Sequence, residues 1–313
     1  MVSCDSYVTS SLLEGISVDE VILAHGLANS LYEAHYANQN IYLMNGRLHY
    51  KYEELLICMN IDYKKLDAGC LLNKNMNVKG RRIVLTLPTN FMGRIHLINE
   101  KVKQIGLIYS TYIIDEINEN TIHLHTIVDD KEIEKKEICF EDYKKLLLLK
   151  MAFHEEPVYV YEILGENRFN YVGLRNNIKA GAQSCIKQKY VDTSEGTILY
   201  RGKNGYQKIL EVIRSFNGFN TVEKMIFAQS ICGGSMFFHR REYAEALIRV
   251  FGEEYSDVSS CLIESGNSWR KLGRKILRSI KTDGVLKYSE IEEIVEKIEK
   301  LEFKAFKYLE EKI

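Results

Sequence analysis

The stretch "GGSMFFHRREYAEALIRVFG", residues 233–252, decides between two kinds of fold. As a phosphate loop it would follow a strand, hold four residues between its glycines and end on Gly-Lys-Ser/Thr; "ICGGSMFF" lacks the lysine and follows a helical pattern. As the joint between two helices it is self-consistent. Gly233 and Gly234 end one helix, Ser235 caps the next, and Met236, Phe237, Tyr243, Leu247 and Val250 recur at the spacing of a single buried face. The helical reading is therefore adopted, with His239 and Arg240 as candidate substrate contacts.

Working outward, a period near 3.6 persists to the end of the chain. In "YSEIEEIVEKIEKLEFKAFKYLEE" the residues Ile291, Ile294, Val295, Ile298, Leu301 and Phe306 form one stripe, with acidic residues early in the helix, where the macrodipole favours them. The first half differs. Both prolines, Pro88 and Pro157, fall there among short β-branched and aromatic runs: "RRIVLTLP", "IGLIYSTYII", "NTIHLHTIV" and "EPVYVYEIL". "YIIDEINENTIHLHTI" reads as a hairpin around "NEN", with His123 and His125 on one face of its second strand. Turn-forming residues in "ILGENRFN", residues 163–170, divide the chain at about residue 165. The expectation is an α+β domain over residues 1–165 and an all-helical domain over residues 166–313.

Composition narrows the function. The 313 residues are 46% hydrophobic and 27% charged, enough apolar content for ordinary cores. Lys and Arg total 42 against 43 Asp and Glu, so no overall field marks a nucleic-acid binder. Seven scattered cysteines without a CxxC pair speak against a disulfide framework or a structural zinc site, and a cytoplasmic protein is expected. The longest apolar runs, such as "KLLLLKMAF", are far shorter than the roughly 20 residues of a membrane span. No membrane association, metal or other cofactor is expected.

Residues 233–252, followed by "CLIESGNSWRKLGRKIL" with the single tryptophan Trp269, resemble the helical C-terminal domain of the butirosin biosynthesis protein H family, where a glycine-rich turn precedes an aromatic-Arg-x-x-Tyr helix and a later helix carries a tryptophan. Cys4, then "SVDEVILAHG" and "GRRIVLTLP", extend the likeness into the first half. The resemblance implies a papain-like first domain that moves an acyl group from a carrier-protein thioester to an amine acceptor. It also implies a nucleophilic cysteine at the start of the first helix, a histidine that begins a later strand, and an aspartate in a Gly-Tyr-Asp turn.

Cys4 fits the first role on physical grounds as well. Asp5, Ser6, Thr9 and Ser10 favour a helix start, and a helix N-terminus raises the thiolate fraction of a thiol. Asp115 stands where the family has its aspartate, but the place of the histidine reads Gln104, Ile105, Gly106 and Leu107. His96 is then the nearest candidate base, with His123 and His125 as substitutes and Asp129 or Asp130 as an orienting carboxylate. His123, His125 and the two aspartates do not make up a typical zinc site.

In "WRKLGRKILRSIKTDG" basic residues recur at helical spacing, and Arg270, Arg274 and Arg278 are the candidate docking points for an acyl carrier protein or its phosphopantetheine phosphate; a solvated helix face gives the same pattern. Three readings follow: a Cys4-dependent acyltransferase of secondary metabolism, a noncatalytic binding protein of the same fold, and a cysteine amide hydrolase. The first and third predict a covalent Cys4 intermediate, and a substrate cleft is expected between the two domains.

Overall fold

The structure is a computed structural model that describes residues 4–36, 39–49, 51–88, 109–127, 133–149, 156–164, 169–187, 189–193, 197–232, 236–282 and 286–313. It is a mixed α+β protein with antiparallel sheets, divided into two compact units. Unit 1 comprises Met1–Val21 and Tyr52–Phe169; unit 2 comprises Ile22–Lys51 and Asn170–Ile313. The single cut near residue 165 is therefore corrected. The C-terminal region has its boundary nearby, but it recruits an early segment of about thirty residues that sequence order assigned to the first domain.

Unit 1 is built on a six-stranded antiparallel sheet in the order β3-β8-β4-β5-β6-β7. Its strands are β3 (Tyr63–Leu66), β4 (Arg82–Pro88), β5 (Tyr109–Ile117), β6 (Thr121–Ile127), β7 (Ile133–Cys139) and β8 (Tyr159–Ile163). The expected hairpin is β5 and β6, closed where the Asn118 amide donates to the Thr121 carbonyl at 2.9 Å. Alternation along the strands sends Ile83, Leu85, Leu87, Tyr112, Ile114, Leu124 and Val160 to one face, where they join Tyr143 and Leu146 of α4 (Phe140–Leu147) in a core. Helices α1 (Cys4–Leu12) and α3 (Tyr52–Cys58) occupy the other face.

Unit 2 departs from the all-helical expectation. It contains a four-stranded antiparallel sheet in the order β2-β1-β10-β9, from β1 (Leu27–Tyr36), β2 (Gln39–Arg47), β9 (Lys189–Thr193) and β10 (Thr197–Arg201). The physical reason is edge completion. Leu31 and Tyr32 of the early hairpin pair with Tyr200 and Leu199, so the short late strands gain partners only by joining the early ones. Helices α5 (Tyr171–Ile186), α6 (Lys203–Arg214), α7 (Thr221–Cys232), α8 (Phe237–Phe251), α9 (Ser256–Thr282) and α10 (Tyr288–Lys312) supply the rest. The long α9 lies against α7, α8 and α10 and buries Leu262, Trp269, Leu272 and Ile276 along one face.

Helix α2 (Val18–Ala24) opens with a reciprocal cap: Ser17 N donates to Glu20 Oε2 at 2.7 Å, and Glu20 N donates to Ser17 Oγ at 3.2 Å. It stops at Gly26, whose φ of +65° needs glycine; a Cβ there would lie 2.9 Å from Leu48 Cβ. Of the predicted inward face of α8, Met236, Phe237, Tyr243 and Leu247 are buried and Val250 is half-buried, while Gly233, Gly234 and Ser235 lie outside the described residues. Among the described residues no helix is long and apolar enough to cross a membrane.

Candidate functional site

Helix α1 is fastened to unit 1 along its length. Near its start, Thr111 Oγ1 of β5 donates to Asp5 Oδ1 at 2.9 Å. In its middle, Thr9 Oγ1 and Tyr52 OH share a hydrogen bond of 3.0 Å, and at its end Arg82 Nη1 donates to the Leu12 carbonyl at 2.9 Å. Burial drives the Tyr52 phenol well above its ordinary pKa, so it remains a neutral hydrogen-bonding group. Cys4 is the first residue of this helix, at the positive end of its dipole.

Strand register shows which groups share the α1 face. Thr111 and Ile113 are two residues apart on β5 and point the same way, and Ile113 pairs directly with His125 of β6. His125 therefore stands on the face that carries α1, one strand over and roughly 7 Å along from the threonine that anchors its first turn. Its Nδ1 lies 2.7 Å from Asp115 Oδ1, brought across by a register shift in β5 between Ile114 and Glu116. With an ionised Asp115 as acceptor, the proton sits on Nδ1 and the basic lone pair on Nε2. The imidazole is one-fifth exposed. A histidine oriented by a carboxylate, on the sheet face that carries a helix opened by a cysteine, is a set of groups suited to moving a proton during attack on a carbonyl.

The other sequence candidates separate. His123 is engaged within the hairpin turn, its Nε2 lying 2.9 Å from Asn118 Nδ2 and 3.1 Å from Thr121 Oγ1. His96, Asp129, Asp130 and the segment from Gln104 to Leu107 lie outside the described residues. Described positions at the start of β5 are Tyr109, Ser110 and Thr111, and none is a histidine. Of the remaining thiols, burial pushes Cys58 up to about 12 and Cys185 up to about 11, which suits packing rather than nucleophilic attack. Among the described residues no group of three histidine, cysteine, aspartate or glutamate side chains is placed to hold a metal ion.

His239 and Arg240, expected at a substrate, are interior groups of unit 2 at 1% and 0% exposure, which corrects that expectation. Arg240 Nε and Nη2 engage Glu302, Nη1 donates to the Gly46 carbonyl at 2.8 Å and Nη2 to the Ala28 carbonyl at 2.6 Å. Trp269 Nε1 donates to the same Glu302 at 2.7 Å. Arg240 and Trp269 thus meet on one buried carboxylate. Sequence reading missed Glu302, although its place four residues after Ile298 in the apolar stripe of α10 was a signal for burial.

The three arginines of α9 also divide. Arg270 is half-buried and stacks over the Phe237 ring at 4.7 Å, whereas Arg274 and Arg278 are exposed. With Lys271 and Lys281 they make a basic stripe in which none of the four forms an ion pair with a described residue. Comparison with protein families and with curated proteins finds no match for this chain.

Proposed function

We propose that the chain is a thioester-processing acyltransferase with a divergent papain-like first unit. The observation that carries this reading is the His125–Asp115 hydrogen bond on the sheet face that bears α1, with Cys4 opening that helix. The Cys4 thiolate attacks the carbonyl of a carrier-bound thioester; a new S–acyl bond forms, and the carrier's thiol leaves with a proton. An amine acceptor then attacks the acyl-cysteine, forming an amide and returning the Cys4 sulfur, while His125 takes and gives the protons. The exposed stripe containing Arg274 and Arg278 has the charge to engage an acidic carrier protein.

A second reading is favoured by a specific feature. At the start of α1 the opposing strand presents the Thr111 hydroxyl, already committed to Asp5, and the described start of that strand carries no histidine. On that basis the fold binds acylated carrier or product without turnover.

Intact-mass measurement after incubation with acyl-phosphopantetheine thioesters separates the two. The enzyme reading expects an acyl adduct on the native protein, none on Cys4→Ser, and slow formation on His125→Ala, with His96→Ala as the comparison. A donor panel that leaves the native protein unmodified, with Cys4 alkylating no faster than a free thiol, leaves the binding protein.

A further inference from the structure

Three of the eight histidines of the chain converge on the turn that joins α2 to β1 in unit 2. The His25 carbonyl accepts from the Leu48 and His49 amides at 3.1 and 3.0 Å, and the His25 ring returns to the same segment, its Nδ1 lying 3.4 Å from the His49 carbonyl. His49 Nε2 meets Asn177 Oδ1 at 2.7 Å, while Asn177 Nδ2 donates to the Ala24 carbonyl at 2.6 Å. From α8, His239 Nε2 reaches the Gly26 carbonyl at 2.9 Å. Residues 24 to 26 are thus held from Leu48 and His49, just after β2, and from α5 and α8 together.

These contacts fix the proton positions. A carbonyl can only accept, so His25 carries its hydrogen on Nδ1 and His239 on Nε2. The other ring nitrogens, His25 Nε2 and His239 Nδ1, are buried lone pairs without a hydrogen-bond partner among the described residues. The two rings stand perpendicular with centroids 6.2 Å apart, and the Tyr243 ring packs 5.7 Å from His239. The charges that face them are Arg47, which acts on both rings, and Arg240, which acts on His239 and is itself paired with Glu302; His49 is the remaining titratable neighbour.

We infer that His25 and His239 form a proton-operated clamp on the Gly26 turn, closed while both rings are neutral and opened when they are protonated. Adding a proton to either ring would place a second N–H, without an acceptor, in a buried pocket that already feels a guanidinium. Burial first, and Arg47 second, hold both imidazoles well below the ordinary value of 6.5. Because the folded values are lowered, the clamp has its full strength above about 6.5 and loses it as the pH falls below that value. Each histidine that takes up a proton on opening raises the opening equilibrium by about tenfold per pH unit. This device is independent of acyl transfer and resides wholly in unit 2.

The test is amide hydrogen exchange between pH 7.5 and 5.0, corrected for the intrinsic rate, at Leu48 and His49, with Leu85 and Tyr112 of the six-stranded sheet as the reference. Protection at Leu48 and His49 is expected to fall at least tenfold per unit below pH 6.5 while the reference pair holds, and the fall should flatten in His25→Gln and in His239→Gln. Parallel behaviour of both pairs down to pH 5.0 overturns the clamp. Should the variants fail to fold, imidazole nitrogen resonances of the unaltered protein decide: neutral rings at pH 6, protonated at Nδ1 in His25 and at Nε2 in His239, are expected. Rings already cationic at pH 6 with protection undiminished overturn it.

Discussion

Arg240 and Glu302 form a fully buried, two-point ion pair, Nε to Oε1 at 2.8 Å and Nη2 to Oε2 at 3.1 Å. The carboxylate also accepts from Ser265 Oγ, Trp269 Nε1 and Tyr206 OH, while the guanidinium reaches the carbonyls of Ala28 and Gly46. Four helices and the early hairpin are therefore keyed to one pair of charges. Close approach of α8 and α9 depends on Gly266, where a Cβ would come within 3.1 Å of the Phe237 carbonyl. Such a network satisfies its own polar groups, and that is the condition under which charge is tolerated in a core.

Removing one partner leaves the other charge stranded. Glu302→Leu is expected to destabilise unit 2 by about 3–5 kcal/mol, and Arg240→Met in the same background should recover much of the loss by removing the uncompensated guanidinium. Urea titration followed by Trp269 fluorescence reads this in unit 2, since Trp269 is the single tryptophan of the chain.

Trp269→Phe keeps most of the ring packing against Tyr206 and deletes the 2.7 Å donor to Glu302. A loss of about 1.5–3 kcal/mol is expected for a hydrogen bond to a charged acceptor, read by far-ultraviolet circular dichroism during denaturation.

If His125 moves the proton in thioester attack, His125→Ala should slow acylation of Cys4 by about 10²–10⁴-fold. Asp115→Asn should retain the histidine but weaken its orientation, giving a smaller loss and an altered pH profile of the acylation rate. Rapid-quench mass measurements on both variants check the order; equal rates in native protein and His125→Ala would remove this histidine from the mechanism.

Arg274→Glu with Arg278→Glu should leave the melting temperature nearly unchanged, because both side chains are exposed and form no ion pair with a described residue, while weakening any salt-sensitive association with an acidic carrier. Arg270→Ala behaves differently. Losing its stack on Phe237 should cost about 0.5–1 kcal/mol of stability, seen as a lower melting midpoint.

Acidification should weaken unit 2 in two stages. The lowered histidine values remove stability as the pH falls below 6.5. For Glu302, burial pushes the carboxyl up but Arg240 and the donors around it outweigh this, leaving it below the ordinary 4.5; its contribution is present above 4.5 and lost as the pH falls further. Thermal melts monitored at Trp269 from pH 8 to 3 should show both losses, the first absent when His25 and His239 are glutamine.

Much of the local structure was legible in the sequence. Alternation gave β4, β6 and the β5–β6 hairpin, and the 3.6-residue period gave α8 and α10 with their inward faces. Pieces of the candidate site were legible singly: a cysteine opening a helix, an aspartate near the hairpin turn, and a histidine on its second strand. Their meeting was not, because His125 reaches Asp115 through strand pairing and a local register shift that no spacing rule encodes.

By itself the sequence determined the strands β4, β5, β6 and β8, the helices α8 and α10 and which of their faces are apolar, since these follow from residue type at intervals of two or 3.6. Tertiary structure alone decided that residues 22–51 complete a sheet with Thr197–Arg201, that Arg240 and His239 are interior supports rather than substrate contacts, and that an acidic residue in a charged helix is the hub of a core. The reason is common to all three: strand edges and buried charges are stabilised only by partners far away in the chain, and local periodicity carries no record of which partner arrives.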